Sequence, residues 1–437
     1  MRNILILLFI FSGSDLYSQH WSKTIPFHWS DSEERVITQT IDLKDIYAGD
    51  FIGVSFYLEG QDISPQTIIA SITTSKYQRN ILPFGEDHEQ ENRFVSELLY
   101  LEPQEAGKCQ LQFKLSDHIR ASEITGAIRI FVPQMEASRN EQNIKKASPR
   151  HFLCPCPQPD YVPRTSWGSG FGLNGNIYIG PAVYTKVTHL ILHHSAGTNV
   201  SNNWAGVVAA IFDFHVNTNK WSDVGYNWLI DPNGVIYEGR GGGDNVRGAH
   251  MCGYNNNSMA ACLLGNFEVA QPTVAMLTSL TKLLSWKACK EDITTDGSSA
   301  IVSHSGFMQH ISGHKDGCGP NYTQCPGQNL YEKLSGLRTS AKQNISEGCS
   351  SISTSDDIFK NRTLKIIPNP AEDKISIEND ENDKDIQQFK IIDITGRLIC
   401  TPTTLSKGIN VSTLEPGTYT LLAVTKSGLK AGKFIKI

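Results

Sequence analysis

Thr188-His-Leu-Ile-Leu-His-His-Ser-Ala-Gly-Thr198 reads as a strand that ends in two adjacent imidazoles. Side chains alternate along a strand, so His189, Ile191 and His193 point one way while Leu190, Leu192 and His194 point the other. Only one of His193 and His194 can then face a given site. The pair is a poor chelate by itself, and a distant partner is needed.

Downstream, Ile311-Ser-Gly-His-Lys-Asp-Gly-Cys-Gly-Pro-Asn-Tyr-Thr-Gln-Cys-Pro326 offers two candidates, His314 and Cys325. Gly317, Gly319 and Pro320 between them predict a loop rather than a helix, and a loop can fold both side chains toward one point. Upstream of it, Ser201 or Asn202 can cap a helix running to about Asn217, with Val207, Val208, Ile211, Phe212 and His215 at helical spacing. Asp223 to Arg240 reads as a hairpin about an Asp-Pro-Asn-Gly turn, with Tyr226, Trp228 and Ile230 sharing a face. Polar loops follow around Arg240, Arg247 and His250, then a buried strand from Ser258 to Phe267. A helix opens near Pro272 with Leu277, Leu280, Leu284 and Ala288 along one side, and another runs from Gln328 to about Lys342. This order predicts an α/β domain, a mixed sheet covered by helices, with ligand-bearing loops gathered at one edge.

The chain has 437 residues, enough for roughly three domains. A net charge of -5 with scattered Lys and Arg gives no basic face for nucleic acid. Met1 to Phe11 places Arg2 before an apolar run of about ten residues, short of the roughly 20 that span a bilayer, and residues 1–19 read as an export signal. Outside the cytoplasm the ten cysteines read mainly as disulfides. If Cys325 is a metal thiolate, an odd number remains and at least one more stays unpaired within the chain.

Residues 20–148 carry short β-type runs, Arg35 to Ile41, Phe51 to Leu58, Gln66 to Thr74, Phe94 to Leu101, Lys108 to Leu115 and Gly126 to Pro133. They predict an antiparallel β-sandwich of accessory role without visible chemistry, Trp29 and His88 included. Residues 149–163 form a proline-rich boundary around Cys154-Pro-Cys156, two cysteines that predict two separate structural disulfides. Residues 346–363 are a polar, serine-rich linker, and 364–437 return to strands and tight turns, a small β-sandwich.

Two neutral imidazoles and one thiolate suit Zn²⁺ and leave a fourth position for water, the arrangement of a catalytic site. The residues recur in a known order. Val-Pro-Arg-Thr-Ser-Trp-Gly, Leu-Ile-Leu-His-His-Ser-Ala, Asp-Val-Gly-Tyr-Asn-Trp-Leu-Ile, Gly-Val-Ile-Tyr-Glu-Gly-Arg-Gly, Gly-Ala-His, Tyr-Asn-Asn-Asn-Ser, Leu-Leu-Gly-Asn-Phe and Gly-His-Lys-Asp with Cys-Pro-Gly resemble the zinc-dependent N-acetylmuramoyl-L-alanine amidases shared by phage cell-wall amidases and peptidoglycan recognition proteins. The resemblance covers the domain at 164–345. It implies zinc ligation by His193, His314 and Cys325, Tyr226 near the attacking water, Thr323 facing the developing oxyanion, and His250, Asn257 and Arg240 at cleft positions touching the muropeptide, with a structural loop role equally open for Arg240.

The implied reaction is hydrolysis of the amide joining the lactyl group of N-acetylmuramic acid to L-alanine. The alternative is a peptidoglycan-binding surface protein without turnover; members of that kind typically lack the cysteine ligand, which is present here. Two departures stand out. The His314-to-Cys325 loop carries three extra residues and Cys318; bridged elsewhere, for instance to Cys289, Cys318 can pin the loop, whereas a Cys318–Cys325 pair removes the site. The stretch between Gly241 and Gly248 is also longer than in relatives, so stem-peptide preference stays unassigned.

The last seventy residues, through Pro368-Asn-Pro, Asp393-Ile-Thr-Gly, Leu414-Glu-Pro-Gly-Thr-Tyr and the Lys-Phe-Ile-Lys ending, resemble the C-terminal sorting domain of the type IX secretion pathway of Bacteroidetes. That resemblance implies cargo delivered to the outer cell surface or medium of a Gram-negative bacterium, which points toward foreign wall material and leaves the choice between foreign and self peptidoglycan open.

Overall fold

The computed structural model describes residues 20–28, 36–43, 50–83, 92–102, 108–133, 145, 154–301, 306–318, 322–349, 364–377, 386–393, 398–402, 408–425 and 428–437. The export signal, most of the linker, Trp29 and His88 lie outside the described residues. Two compact units result, Met1–Ser351 and Ile352–Ile437.

In the first unit the amino-terminal strands pair antiparallel in two sheets. One runs Trp21–His28, Thr125–Val132, Ile52–Glu59, Arg93–Val95, with Leu99–Leu101 also on Ile52–Glu59. The other runs Val36–Asp42, Lys108–Leu115, Ile68–Thr73, Gln78–Ile81. Alternation in Lys108–Leu115 buries Cys109, Leu111, Phe113 and Leu115, which join Val54, Phe56 and Leu58 of the first sheet in one core.

The central sheet holds β1 (His189–His194), β2 (Trp228–Ile230), β3 (Ile236–Glu238), β4 (Ser258–Leu263) and β5 (Ile311–Gly313), in the order β3-β2-β4-β1-β5. β1 is parallel to both β4 and β5, and β2 is antiparallel to β3, so the sheet is mixed. Its helices include α1 (Trp204–Asp213), α2 (Val274–Glu291), α3 (His314–Cys318) and α4 (Leu334–Ser346), with single turns at Arg164–Trp167 and Gln328–Tyr331, so the helix expected from Gln328 to about Lys342 is two pieces. One face packs Leu190, Leu192, Met259 and Ile230 against Leu280 and Leu284 of α2 and Leu337 and Ala341 of α4. The other packs Leu229, Ala260 and Cys262 against Val207, Val208, Ile211 and Phe212 of α1.

Helix starts follow capping chemistry. Asn203, rather than Ser201 or Asn202, caps α1 by accepting from the Gly206 N–H at 2.7 Å, and Thr273 caps α2 through the Met276 N–H at 3.1 Å. α1 runs on into a single π turn, Phe214–Thr218. The predicted loop after His314 begins instead as α3. The Asp316 carboxylate accepts the Gly313 N–H at 2.9 Å and the Tyr331 hydroxyl at 2.6 Å, which outweighs the cost of Gly317 in so short a turn.

α1 is buried on every side, and an all-round apolar helix has to be covered all round. The amino-terminal sheets supply that cover: Phe51 and Phe131 join the α1 core. Arg93 donates to the carbonyls of Thr218, at 2.5 Å, and Asn219, at 3.1 Å, at the C-terminal end of the π turn. Arg129 clamps Asp213 with two bonds of 2.6 and 2.9 Å, and Ser201 donates to Asp50. Asp213 is only 1% exposed. Arg129→Ala therefore leaves an uncompensated buried carboxylate and is expected to cost about 3 kcal/mol. Urea unfolding checks this, with an unchanged midpoint counting against the clamp.

Disulfides tie the proline-rich segment to the same body. Cys154 bonds Cys289 in α2, and Cys156 bonds Cys349 beyond α4. The third pair is Cys252–Cys318, so Cys318 is bridged, but not to Cys289. Cys109, Cys262, Cys325 and Cys400 form no disulfide.

In the second unit Ile366–Ile367, Lys374–Ile377 and Ile409–Asn410 form one sheet. Leu398–Cys400, Ile386–Asp393, Gly417–Thr425 and Gly428–Lys436 form the other. Leu364, Ile366, Ile375, Ile391, Leu421 and Phe434 are among the residues of their shared core.

Candidate metal centre

The pairing of β1 with β5 sets up the site. Leu192 lies opposite Gly313, and one residue beyond that pair stand His193 and His314, both fully buried, with ring centroids 4.5 Å apart. Cys325 comes back to them because its carbonyl accepts the Lys315 N–H at 2.9 Å and Thr323 Oγ1 accepts the Cys325 N–H at 3.1 Å. Gly313 permits the approach: a Cβ there would meet Pro326 Cδ at 2.7 Å. Cys325 Sγ then lies 3.5 Å from His193 Nδ1 and accepts the His194 N–H at 3.4 Å. One donor atom each from His193, His314 and Cys325 fall within 4.8 Å of one another.

Hydrogen-bond polarity fixes which His193 nitrogen faces the sulfur with a lone pair. The Ser258 hydroxyl donates to the Asn255 carbonyl at 3.0 Å, which can only accept. It must therefore accept from His250 Nε2–H, 3.2 Å away. His250 Nδ1 is then the acceptor for His193 Nε2–H at 3.0 Å, and the lone pair of His193 sits on Nδ1, toward Cys325. Burial, reinforced by His194, pushes the His193 pKa down to about 3. Burial alone takes His194 to about 4. Burial, then His193 and Arg240, holds His250 well below its usual range. All three rings are neutral at pH 7, the form that ligates metal.

Two buried imidazoles and a thiol with a backbone N–H on its sulfur are a donor set that fits Zn²⁺. His194 does not join it. Its ring turns away, with Nδ1 accepting the Phe267 N–H at 3.2 Å.

Tyr226 stands between two imidazoles, its ring 5.2 Å from His193 and 5.4 Å from His215. It does not share a face with Trp228 and Ile230, which belong to the α2 side while Tyr226 belongs to the α1 side. The ladder starts only at Trp228, and the successive N–H groups of Gly239 and Arg240 bond the successive carbonyls of Asn227 and Tyr226, both at 2.9 Å, a pattern a regular antiparallel ladder does not make, so strand alternation does not reach back to Tyr226. His215, which read as one apolar-face helix position, accepts the Gly225 N–H at 3.1 Å and so fixes the turn before Tyr226.

The residues read as cleft contacts have hydrogen-bond partners within the fold. His250 is 2% exposed and is spent on His193 and Ser258. Asn257 sits at the opposite end of the parallel strands from His193, donating its side-chain amide to the Lys186 carbonyl at 2.9 Å. Buried Arg240 donates to the Val224 carbonyl at 3.1 Å and to Ser222 Oγ at 2.8 Å, bracing the loop that carries Tyr226. Asp223 braces it too, accepting N–H bonds from Val224 at 2.7 Å and Tyr178 at 3.0 Å while paired with Arg164. No sequence periodicity marks Ser258 or Asp223 as supports, since Ser258 acts across an irregular loop and Asp223 reaches back to Tyr178 and Arg164.

The sequence profile of N-acetylmuramoyl-L-alanine amidases matches residues 183–328, and that of the secretion system C-terminal sorting domain matches 365–437. Peptidoglycan-recognition protein SC2 of Drosophila simulans is 32% identical over 175 residues, 40% of this chain and 83% of that protein. Its Drosophila melanogaster counterpart is 33% identical over 150 residues, 34% of this chain and 72% of that protein. Among solved structures, the endolysin N-acetylmuramoyl-L-alanine amidase LysCS from Clostridium intestinale matches at 26% identity over 38% of this chain and 91% of that one, with a TM-score of 0.29. With the two recognition proteins matched over most of their length, this chain belongs to the family of peptidoglycan-recognition proteins and N-acetylmuramoyl-L-alanine amidases, and it carries a secretion-system sorting domain at its C-terminal end.

Proposed function

We propose that the chain is an exported, zinc-dependent N-acetylmuramoyl-L-alanine amidase that cleaves the amide between the lactyl group of N-acetylmuramic acid and L-alanine. The observation that carries this reading is the convergence of His193, His314 and Cys325, drawn from three separate segments, on one buried point. Zn²⁺ held there would polarise the scissile carbonyl and supply a nucleophilic water near neutral pH.

The chain's own residues do the rest. The Ser258–His250 relay holds the His193 ring with Nδ1 toward the site. The Tyr226 phenol offers a donor to charge developing on the carbonyl oxygen. Thr323 uses a lone pair on the Cys325 N–H, which leaves its O–H as a second donor for that charge. Recognition without turnover is the competing reading, favoured by the names of the relatives.

Tyr226→Phe separates the two. It keeps the ring packing and the metal donors, so zinc content should be unchanged while kcat falls by about 10²–10³-fold, the usual cost of one oxyanion donor. An unaltered kcat would remove Tyr226 from the chemistry.

The β-sandwich of residues 20–148 is assigned as a fixed accessory module of the catalytic body, and residues 364–437 as the tail read by type IX secretion. Among the described residues no helix is long and apolar enough to cross a membrane.

A further inference from the structure

Beside the candidate metal centre lies a second group of donors that shares one of its members. Cys252, Cys318 and His314 also place one donor atom each within 4.8 Å of one another. The two sulfurs are joined in a disulfide whose Cα atoms are 6.0 Å apart, across a separation of 66 residues. The bridge lies against the imidazole of His314, the first residue of α3, and Cys318 is the last residue of the same turn.

The segment carrying Cys252 is tightly fitted. Cys252 has φ +39° and Gly253 φ +81°, the left-handed region that costs a non-glycine residue free energy. Met251 packs so closely on α3 that a Cβ on Gly317 would meet its Sδ at 2.8 Å. Opening the bridge lets Cys252 leave that conformation and frees two soft thiol ligands beside an imidazole, a donor set that binds zinc.

We propose that Cys252 and Cys318, once reduced, form with His314 a second zinc site that competes with His193 and Cys325 for the shared imidazole. Oxidation of the bridge then commits His314 to the first site. A dithiol reductant supplies the two electrons: the protein S–S bond breaks, each sulfur takes a proton, and the reductant closes to its own disulfide. On binding Zn²⁺ the two thiols release those protons to solvent. The proposal rests on the zinc reading of His193, His314 and Cys325. Its consequence is an enzyme whose metal is placed for hydrolysis only after it reaches an oxidising compartment.

The test uses the full-length chain, Zn²⁺ as probe, and residue-resolved alkylation read by mass spectrometry. The oxidised protein should bind one equivalent and protect Cys325. After limiting dithiol treatment, in molecules where Cys252 and Cys318 have opened, zinc should slow alkylation of both by about tenfold or more. Equal rates with and without zinc overturn the second site while leaving the first intact. Failure of the oxidised protein to bind zinc overturns both. Cys325→Ser removes the competing thiol of the first site and leaves Cys252, Cys318 and His314 in place. After the same dithiol treatment zinc should still slow alkylation of Cys252 and Cys318 there, and an unchanged rate again overturns the proposal.

Discussion

Cys325→Ser is expected to abolish hydrolysis while leaving the protein folded and able to bind peptidoglycan. Serine keeps the volume, the Thr323 contact to its N–H and the Lys315 contact to its carbonyl, since both involve backbone atoms of residue 325. It loses the thiolate, and an alcohol is a far poorer zinc ligand at neutral pH. Metal assistance is worth several kcal/mol, and at about 1.4 kcal/mol per tenfold the loss is roughly 10³-fold or more. Metal analysis and the rate of release of new amino termini check it. Turnover at the parent rate would remove Cys325 from the metal site.

Arg164→Leu is expected to be the most destabilising single change in the catalytic body. Arg164 and Asp223 are both fully buried, with Nη2 3.1 Å from Oδ2, and Arg164 Nη1 also donates to the Gly239 carbonyl at 2.6 Å. Removing the guanidinium leaves the Asp223 carboxylate buried without its counter-charge, at a cost of about 3–5 kcal/mol. The damage reaches the site, because Asp223 and Arg240 together frame the turn that carries Tyr226. Urea unfolding should show a lower midpoint with unchanged slope, and kcat should fall more than affinity for the wall. An unaltered midpoint would mean that the pair contributes nothing net.

The sequence disclosed the parts of this architecture that depend on local pattern. Alternation in β1, the hairpin turn of Asp231 to Gly234 and the apolar side of α2 are short-range signals, and each appears at its expected place within a few residues. Strand Gln78–Ile81 was not legible, having no apolar alternation of its own, and in Trp21–His28 the alternation of Trp21, Ile25 and Phe27 is interrupted by Lys23 and obscured by Pro26; both are held by their neighbours in the sheet. Tyr226 was put on the wrong face because alternation is lost where Gly225 to Asn227 leave the ladder. The cover over α1 had a visible signature, an apolar run with no polar side, but nothing in it names the covering element.

At the site, the donor residues were readable as types and order. Their support was not. The Ser258–His250–His193 relay spans 57 residues from His193 to His250, and disulfide connectivity cannot be deduced from cysteine positions alone, so the pairing of Cys318 with Cys252 rather than Cys289 was not legible.

The most direct measurement is digestion of a defined muropeptide by the full-length protein, with products identified by mass. The account predicts N-acetylmuramic acid with a free lactyl carboxyl group and a stem peptide with a new L-alanine amino terminus, lost on chelation and restored by Zn²⁺. Wall binding with no new amino terminus, with zinc present, would contradict it.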